Sequence, residues 1–190
     1  LGWDALELLR HRDHRVVFVA GALFCIPIAA FYPFAPTHLR ELGFMRTSAW
    51  MSLGQVTEIA AMFSLGALLP RLRLKWLFAF GLGFGVLRFA LSAMDSDLCL
   101  LAGVALHGAS FTFVLITAQI YLDRRVDPAW RTRAQALFSL MNMGLGNLAG
   151  FLGTGLWFQV AGGISEARWP LFWGGLSAAV AGVLAYFLIA

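Results

Sequence analysis

VVFVAGALFCIPIAAFYPFAPTHL, Val16–Leu39, is a run of 24 residues without a formal charge. A helix rises about 1.5 Å per residue, so about 20 apolar residues cross the hydrocarbon core of a bilayer. The run is long enough to span, and Pro27, Pro33 and Pro36 interrupt it. Five further segments read the same way. Thr47–Leu69 holds one charge, Glu58, and Trp76–Met94 holds one, Arg88. Leu98–Leu122 holds none. Ala134–Ile164 is charge-free and longer than a single span needs, so Gly162-Gly163 is expected to begin a turn. Trp169–Ala190 is the last. The spans are placed at about 16–39, 47–69, 76–94, 98–122, 134–160 and 169–190. The expected fold is an all-α membrane protein of six transmembrane helices with short connections.

Composition agrees. The 190 residues are 60% hydrophobic and 13% charged, with mean hydropathy +0.77. A soluble domain carries about a quarter charged residues, so lipid is the expected solvent. A net charge of +4 and a pI near 9.7 could fit a nucleic-acid binder. The basic residues instead sit in short blocks between apolar runs rather than along one face, and no nucleic-acid partner is expected. Cys25 and Cys99 lie in or beside the runs without metal-ligand spacing, so neither metal nor cofactor is expected. No signal peptide is expected in this stretch, which opens Leu1-Gly2-Trp3-Asp4 and ends in an apolar segment at Ala190. The expectation is a piece of a longer protein.

Basic residues set the orientation. If the chain starts inside, the inner segments hold Arg10, Arg12, Arg15, Arg71, Arg73, Lys75, Arg124, Arg125, Arg131 and Arg133, and the outer segments hold Arg40, Arg46 and Arg168. Ten against three is the positive-inside asymmetry. Residues 1–15 are read as a cytoplasmic, interfacial linker in which Leu1, Ala5, Leu8 and Leu9 share a helical face.

Only Glu58 and Arg88 among the 24 formal charges fall well inside spans. Each costs about 2.5–3.5 kcal/mol or more at the bilayer centre, so each needs a partner, a watery cavity or a route to the interface. Gln55 shares a helical face with Glu58. An amide beside a carboxylate suits a ligand bearing hydroxyls and ring nitrogens, and the carboxylate can carry a proton. The plain alternative is an interhelical hydrogen bond. Arg88 can pair with Glu58 across the adjacent hairpin or snorkel outward. His107 shares a face with Ser110 and Phe111, and can bind ligand, relay a proton or serve as an interhelical donor. Phe24, Phe31 and Tyr32 lie among the prolines of the first span, and such breaks mark cavity-lining helices. The first span is interrupted by Pro and the fourth by Gly103 and Gly108, the correspondence of a three-plus-three inverted repeat. Gly144, Gly146, Gly150, Gly153 and Gly155 suit close helix packing rather than ligand binding.

Gly66-Ala-Leu-Leu-Pro70-Arg71-Leu72-Arg73-Leu74-Lys75 resembles the basic loop motif between the second and third helices of a major facilitator superfamily half. Pro70 and Arg73 stand where an acid and a glycine are commoner. Asp123-Arg124-Arg125 through Pro128 and Arg131 to Ala134 resembles that superfamily's later cytoplasmic loop. The resemblance implies the C-terminal half of a 12-helix transporter in the inner membrane, with a matching N-terminal six-helix half as partner. It places Gly66, Arg71, Arg73 and Lys75 in a cytoplasmic gate motif. Within the superfamily, Gln55-Val56-Thr57-Glu58, Leu87-Arg88-Phe89 and Leu106-His107-Gly108 through Phe111 are similar to the nucleoside:proton symporters. That likeness implies proton-coupled uptake of a small polar solute such as a nucleoside. Gln55, Glu58, His107, Phe111 and Thr112 would then line the substrate cavity, joined by Phe31 and Tyr32, and Glu58, Arg88 and His107 would serve proton coupling. Thr112 stands where those permeases present an acid and His107 where they present a tyrosine; Ala29 and Tyr32 replace amides.

Three other readings compete. The lactose-permease type of sugar:proton symporter also has an acid, an arginine and a histidine on successive helices, but its further acid one turn on is replaced here by Ser110. Gly108-Ala109-Ser110 resembles the nucleophile motif of rhomboid-type proteases, yet Phe111 replaces the next glycine and no histidine follows His107 to act as base. No enzyme is expected. A transporter-like half acting as sensor or scaffold is the third.

Overall fold

The computed structural model describes residues 3–164 and 168–190. All regular structure among the described residues is helical. A 3₁₀ helix, Trp3–Arg10, precedes α1 (Arg12–Ala29) and α2 (Phe31–Glu41), which together make the first span. The second span is α3 (Thr47–Leu68) and the third is α4 (Leu74–Ser92). The fourth joins α5 (Asp97–Phe111) to α6 (Thr117–Arg125) through a π-helical turn at Thr112–Ile116. The fifth joins α7 (Arg131–Ser139) to α8 (Asn147–Ile164) through another at Leu140–Gly146, and α9 (Arg168–Ile189) is the sixth. All six are long and apolar enough to cross a membrane.

The break in the first span has a local cause. Pro33 has no N–H to give the carbonyl of Ala29, and its ring crowds that carbonyl. Helix α1 ends at Ala29, and α2 restarts at Phe31, with Ala30 between them. The fourth span differs from expectation, because α5 runs unbroken through Gly103 and Gly108. Those glycines set helix distances instead. A Cβ on Gly108 would run into the backbone nitrogen of Glu58 and the carbonyl of Gly54, so α5 and α3 touch backbone to backbone. The interruption comes later, at the π turn, and the fifth span carries one too.

The turn expected at Gly162-Gly163 is absent, since α8 continues to Ile164. In an apolar solvent the helix keeps its backbone hydrogen bonds even through glycines that would weaken it in water. Of the fifth-span glycines, Gly146 and Gly150 pack tightly on the first span, 2.9 Å from Cys25 Cβ and 2.6 Å from Ala29 Cβ for an added methyl. Gly153 and Gly155 have nothing near them, so only part of that set serves packing. The first helix begins inside the stretch read as a linker, and Ala5 and Leu8 are buried by packing of the 3₁₀ segment on α1 and α7. Leu1 lies outside the described residues.

The bundle is layered around α4, which packs on α5 and α9; α3 packs on the far side of α5, and α1 lies against α8 and α9. Phe18, Phe24, Leu82, Phe89, Phe172 and Trp173 fill the interior. Helices α3 and α8 carry the least buried spans, and only Gly54, Ala61 and Leu65 of α3 are buried.

Candidate functional site

The close seat of Gly108 on α3 fixes which face of α3 is left open. Thr57 reinforces it: its hydroxyl donates to the carbonyl of Ala105 across the interface and lies 3.0 Å from the carbonyl of Gly54. With Gly54 and Thr57 turned toward α5, Gln55 is exposed and Glu58 half-buried at the edge of that contact. The three ion pairs among the described residues are Arg10–Glu7, His38–Asp95 and Arg168–Glu41. Glu58 is in none of them.

Arg88 does not pair with Glu58. The two lie on consecutive spans, but α5 packs between α3 and α4, so sequence neighbours are not spatial neighbours here. Arg88 is buried, at 2% exposure, and its Nη1 donates to Nδ1 of His107. The guanidinium also sits over the rings of Phe31 and Phe89, 4.7 and 4.5 Å from their centroids. Such contacts supply a buried cation with part of what water would give. Its Nε has no partner among the described residues. Snorkelling outward is excluded by the same burial.

His107 is stacked on Phe31 with centroids 3.8 Å apart and planes 10° from parallel. Tyr32, 55% exposed, meets the imidazole edge-on at 5.8 Å, and half-buried Phe111 lies 5.9 Å away. The break after Ala29 thus turns Phe31 and Tyr32 toward the fourth span. Four expected residues cluster, Phe31, Tyr32, His107 and Phe111, with Arg88 behind them, and Gln55 and Glu58 flank Gly54, where α3 meets His107. Thr112, next to Phe111, is fully buried in this bundle, and its hydroxyl points at the backbone carbonyl of Glu58, 3.5 Å away, at the contact with α3. Gly66, Arg71, Arg73 and Lys75 are all exposed around the turn from α3 to α4, far along the bundle from this cluster.

A second polar cluster has no counterpart in the sequence reading. His38 is fully buried near the end of α2. Its Nε2 meets Asp95 Oδ1 at 2.8 Å, and Trp173 Nε1 donates to its Nδ1 at 3.0 Å. Trp169 stacks on it at 4.3 Å and donates to Glu41, which also pairs with Arg168. Asp95 adopts φ +50, a left-handed conformation that Asp tolerates better than most residues, in the turn between α4 and α5. The available signal was Trp169 and Trp173, one turn apart on the last span, with a histidine near the end of the first.

The family model described as nucleoside H+ symporter matches residues 1–190. The putative nucleoside transporter YegT of Escherichia coli (strain K12) is 36% identical over 157 residues, covering 80% of this chain and 37% of that protein. The nucleoside permease NupG of the same organism is 24% identical over 188 residues, covering 91% of this chain and 45% of NupG. Its xanthosine permease is 25% identical, with the same coverage. A crystal structure of nucleoside transporter NupG superposes with TM-score 0.87 at 21% identity, over all of this chain and 51% of that one. The chain spans less than half the length of these curated relatives, and its fold matches about half of the NupG structure. A match over the whole chain, on a six-span bundle with this arrangement, makes the chain a member of the nucleoside H+ symporter family.

Proposed function

We propose that the chain is the C-terminal half of a proton-coupled nucleoside importer working by alternating access, with the ligand held near the midplane between this bundle and an N-terminal six-helix half. One observation carries the reading. Glu58, half-buried at mid-span and without an ion pair, lies beside Gln55 on the face of α3 that this bundle leaves open. A face bearing a carboxylate and an amide does not suit lipid. It suits a water-filled cavity closed by the missing half. Gln55, Tyr32, His107, Phe31 and Phe111 form the remaining wall, with aromatic rings for a base and polar atoms for its edges. Glu58 is the coupling acid, and Arg88 supports the site from behind.

The test is uptake of a labelled nucleoside by the full-length protein in proteoliposomes with an imposed proton gradient. Accumulation above equilibrium that collapses when the gradient is dissipated is expected. Galactoside uptake in its place supports the sugar symporter, and no uptake of either supports the sensor or scaffold. Orientation is tested separately. The ten-to-three basic bias puts Arg73 and Arg131 in the cytoplasm of a cell with this protein in its inner membrane. Arg73→Cys and Arg131→Cys should react with an impermeant thiol reagent only after the cytoplasmic face is opened. Labelling in intact cells would reverse the topology.

A further inference from the structure

We propose that Arg88 is a positioning residue that holds His107 in a single tautomer, so that the site offers its ligand a hydrogen-bond donor at His107 Nε2 and selects for an acceptor there. The inference rests on the nucleoside reading for the identity of the ligand, but not for the lock itself.

The argument is one of donors and acceptors. A guanidinium carries five N–H groups, has no acceptor and stays charged in proteins. Facing Arg88 Nη1, His107 Nδ1 must present its lone pair. A neutral imidazole with an unprotonated Nδ1 carries its hydrogen on Nε2. A doubly protonated ring would set N–H against N–H beside a fixed positive charge. The geometry also blocks escape by rotation. Phe31 lies flat against the imidazole at 3.8 Å, while Phe31 and Phe89 together hold the guanidinium. Carbon Cδ2, next to Nε2, faces α3 at Gly54, 3.5 Å from where a Cβ would stand there, one residue from Gln55. Nε2 itself has no hydrogen-bond partner among the described residues, although His107 is only 4% exposed. A donor held this way, unmet by the protein, is matched by a ligand oxygen or ring nitrogen with a free lone pair, such as a base carbonyl. Glu58 and the Gln55 carbonyl offer acceptors for the ligand's own donors.

The test is nitrogen NMR of full-length protein labelled at histidine, with the His107 signals assigned by their loss in His107→Gln. In the wild type, a protonated Nε2 and an unprotonated Nδ1 are expected. Arg88→Met removes the donor and should let the neutral ring populate both tautomers, so that the Nδ1 and Nε2 shifts move toward each other; if it fails to fold, Arg88→Lys, with a shorter reach, should move them partly. Adding uridine to the wild type should move the Nε2 resonance and leave Nδ1 in place. A protonated Nδ1 in the wild type, or Nδ1 and Nε2 shifts in Arg88→Met that match the wild type's, overturn the lock. An intact lock with uridine transported but Nε2 unmoved overturns the donor role. An intact lock with no nucleoside uptake overturns the nucleoside reading and leaves the lock standing.

Discussion

His38 and His107 are both buried imidazoles, both flat against an aromatic ring, and both accept a hydrogen bond at Nδ1 from a group that can only donate. They differ at the second nitrogen. Nε2 of His38 ends on Asp95, whereas Nε2 of His107 ends on nothing in the described residues. The contrast separates a histidine spent within the fold from one with a ring nitrogen left for something outside it. Placement agrees. His38 ties the end of the first span to the turn after the third and to the sixth, inside one half. His107 stands beside the open face of α3, where the second half would meet it.

Mutations can break or sharpen this contrast. The largest stability loss is expected for His38→Ala, which empties an aromatic-sized site and strands the Trp173 N–H. A loss of about 3 kcal/mol follows from core truncation and an unpaired donor, read from unfolding of the purified full-length protein. The nucleoside KM of the surviving fraction should stay within about twofold. His107→Gln should do the reverse, with little change in unfolding and a KM raised about tenfold, the factor given by about 1.4 kcal/mol of lost binding. Similar profiles for the two variants would dissolve the distinction. Trp173→Phe keeps the ring but leaves Nδ1 of His38 buried and unmet, costing about 1–3 kcal/mol. Asp95→Asn should cost least, under about 1 kcal/mol, because the Asp95 side chain is 46% exposed and an amide oxygen still accepts from Nε2.

The two clusters were unequally legible. Span number and approximate bounds follow from charge spacing, which lipid enforces strictly: Val16–Leu39 and the first span of the structure differ by a few residues at each end. The break after Ala29 was readable from Pro33, since proline acts on a carbonyl four residues back. Gln55 and Glu58 stood out because an acid in mid-span is costly wherever its neighbours lie. Arg88 stood out for the same reason, but its partner did not. Partner choice depends on α5 lying between α3 and α4, a packing fact no hairpin rule contains. His38 went unnoticed because an imidazole near a span end is cheap until two tryptophans and an aspartate close on it. The π turns at Thr112–Ile116 and Leu140–Gly146 have no sequence signature of comparable strength, and the length argument for a turn at Gly162-Gly163 fails because the fifth helix runs on past one span's length.

Glu58→Gln tests the central claim, that one carboxylate on the open face of α3 joins ligand binding to the proton. Glutamine keeps the shape and the hydrogen-bonding oxygen but cannot take or release a proton at this site. The full-length variant in proteoliposomes should lose uphill, gradient-driven nucleoside accumulation and keep nucleoside counterflow near the wild-type rate. Wild-type accumulation driven by the proton gradient in Glu58→Gln would contradict the account and remove Glu58 from the coupling mechanism.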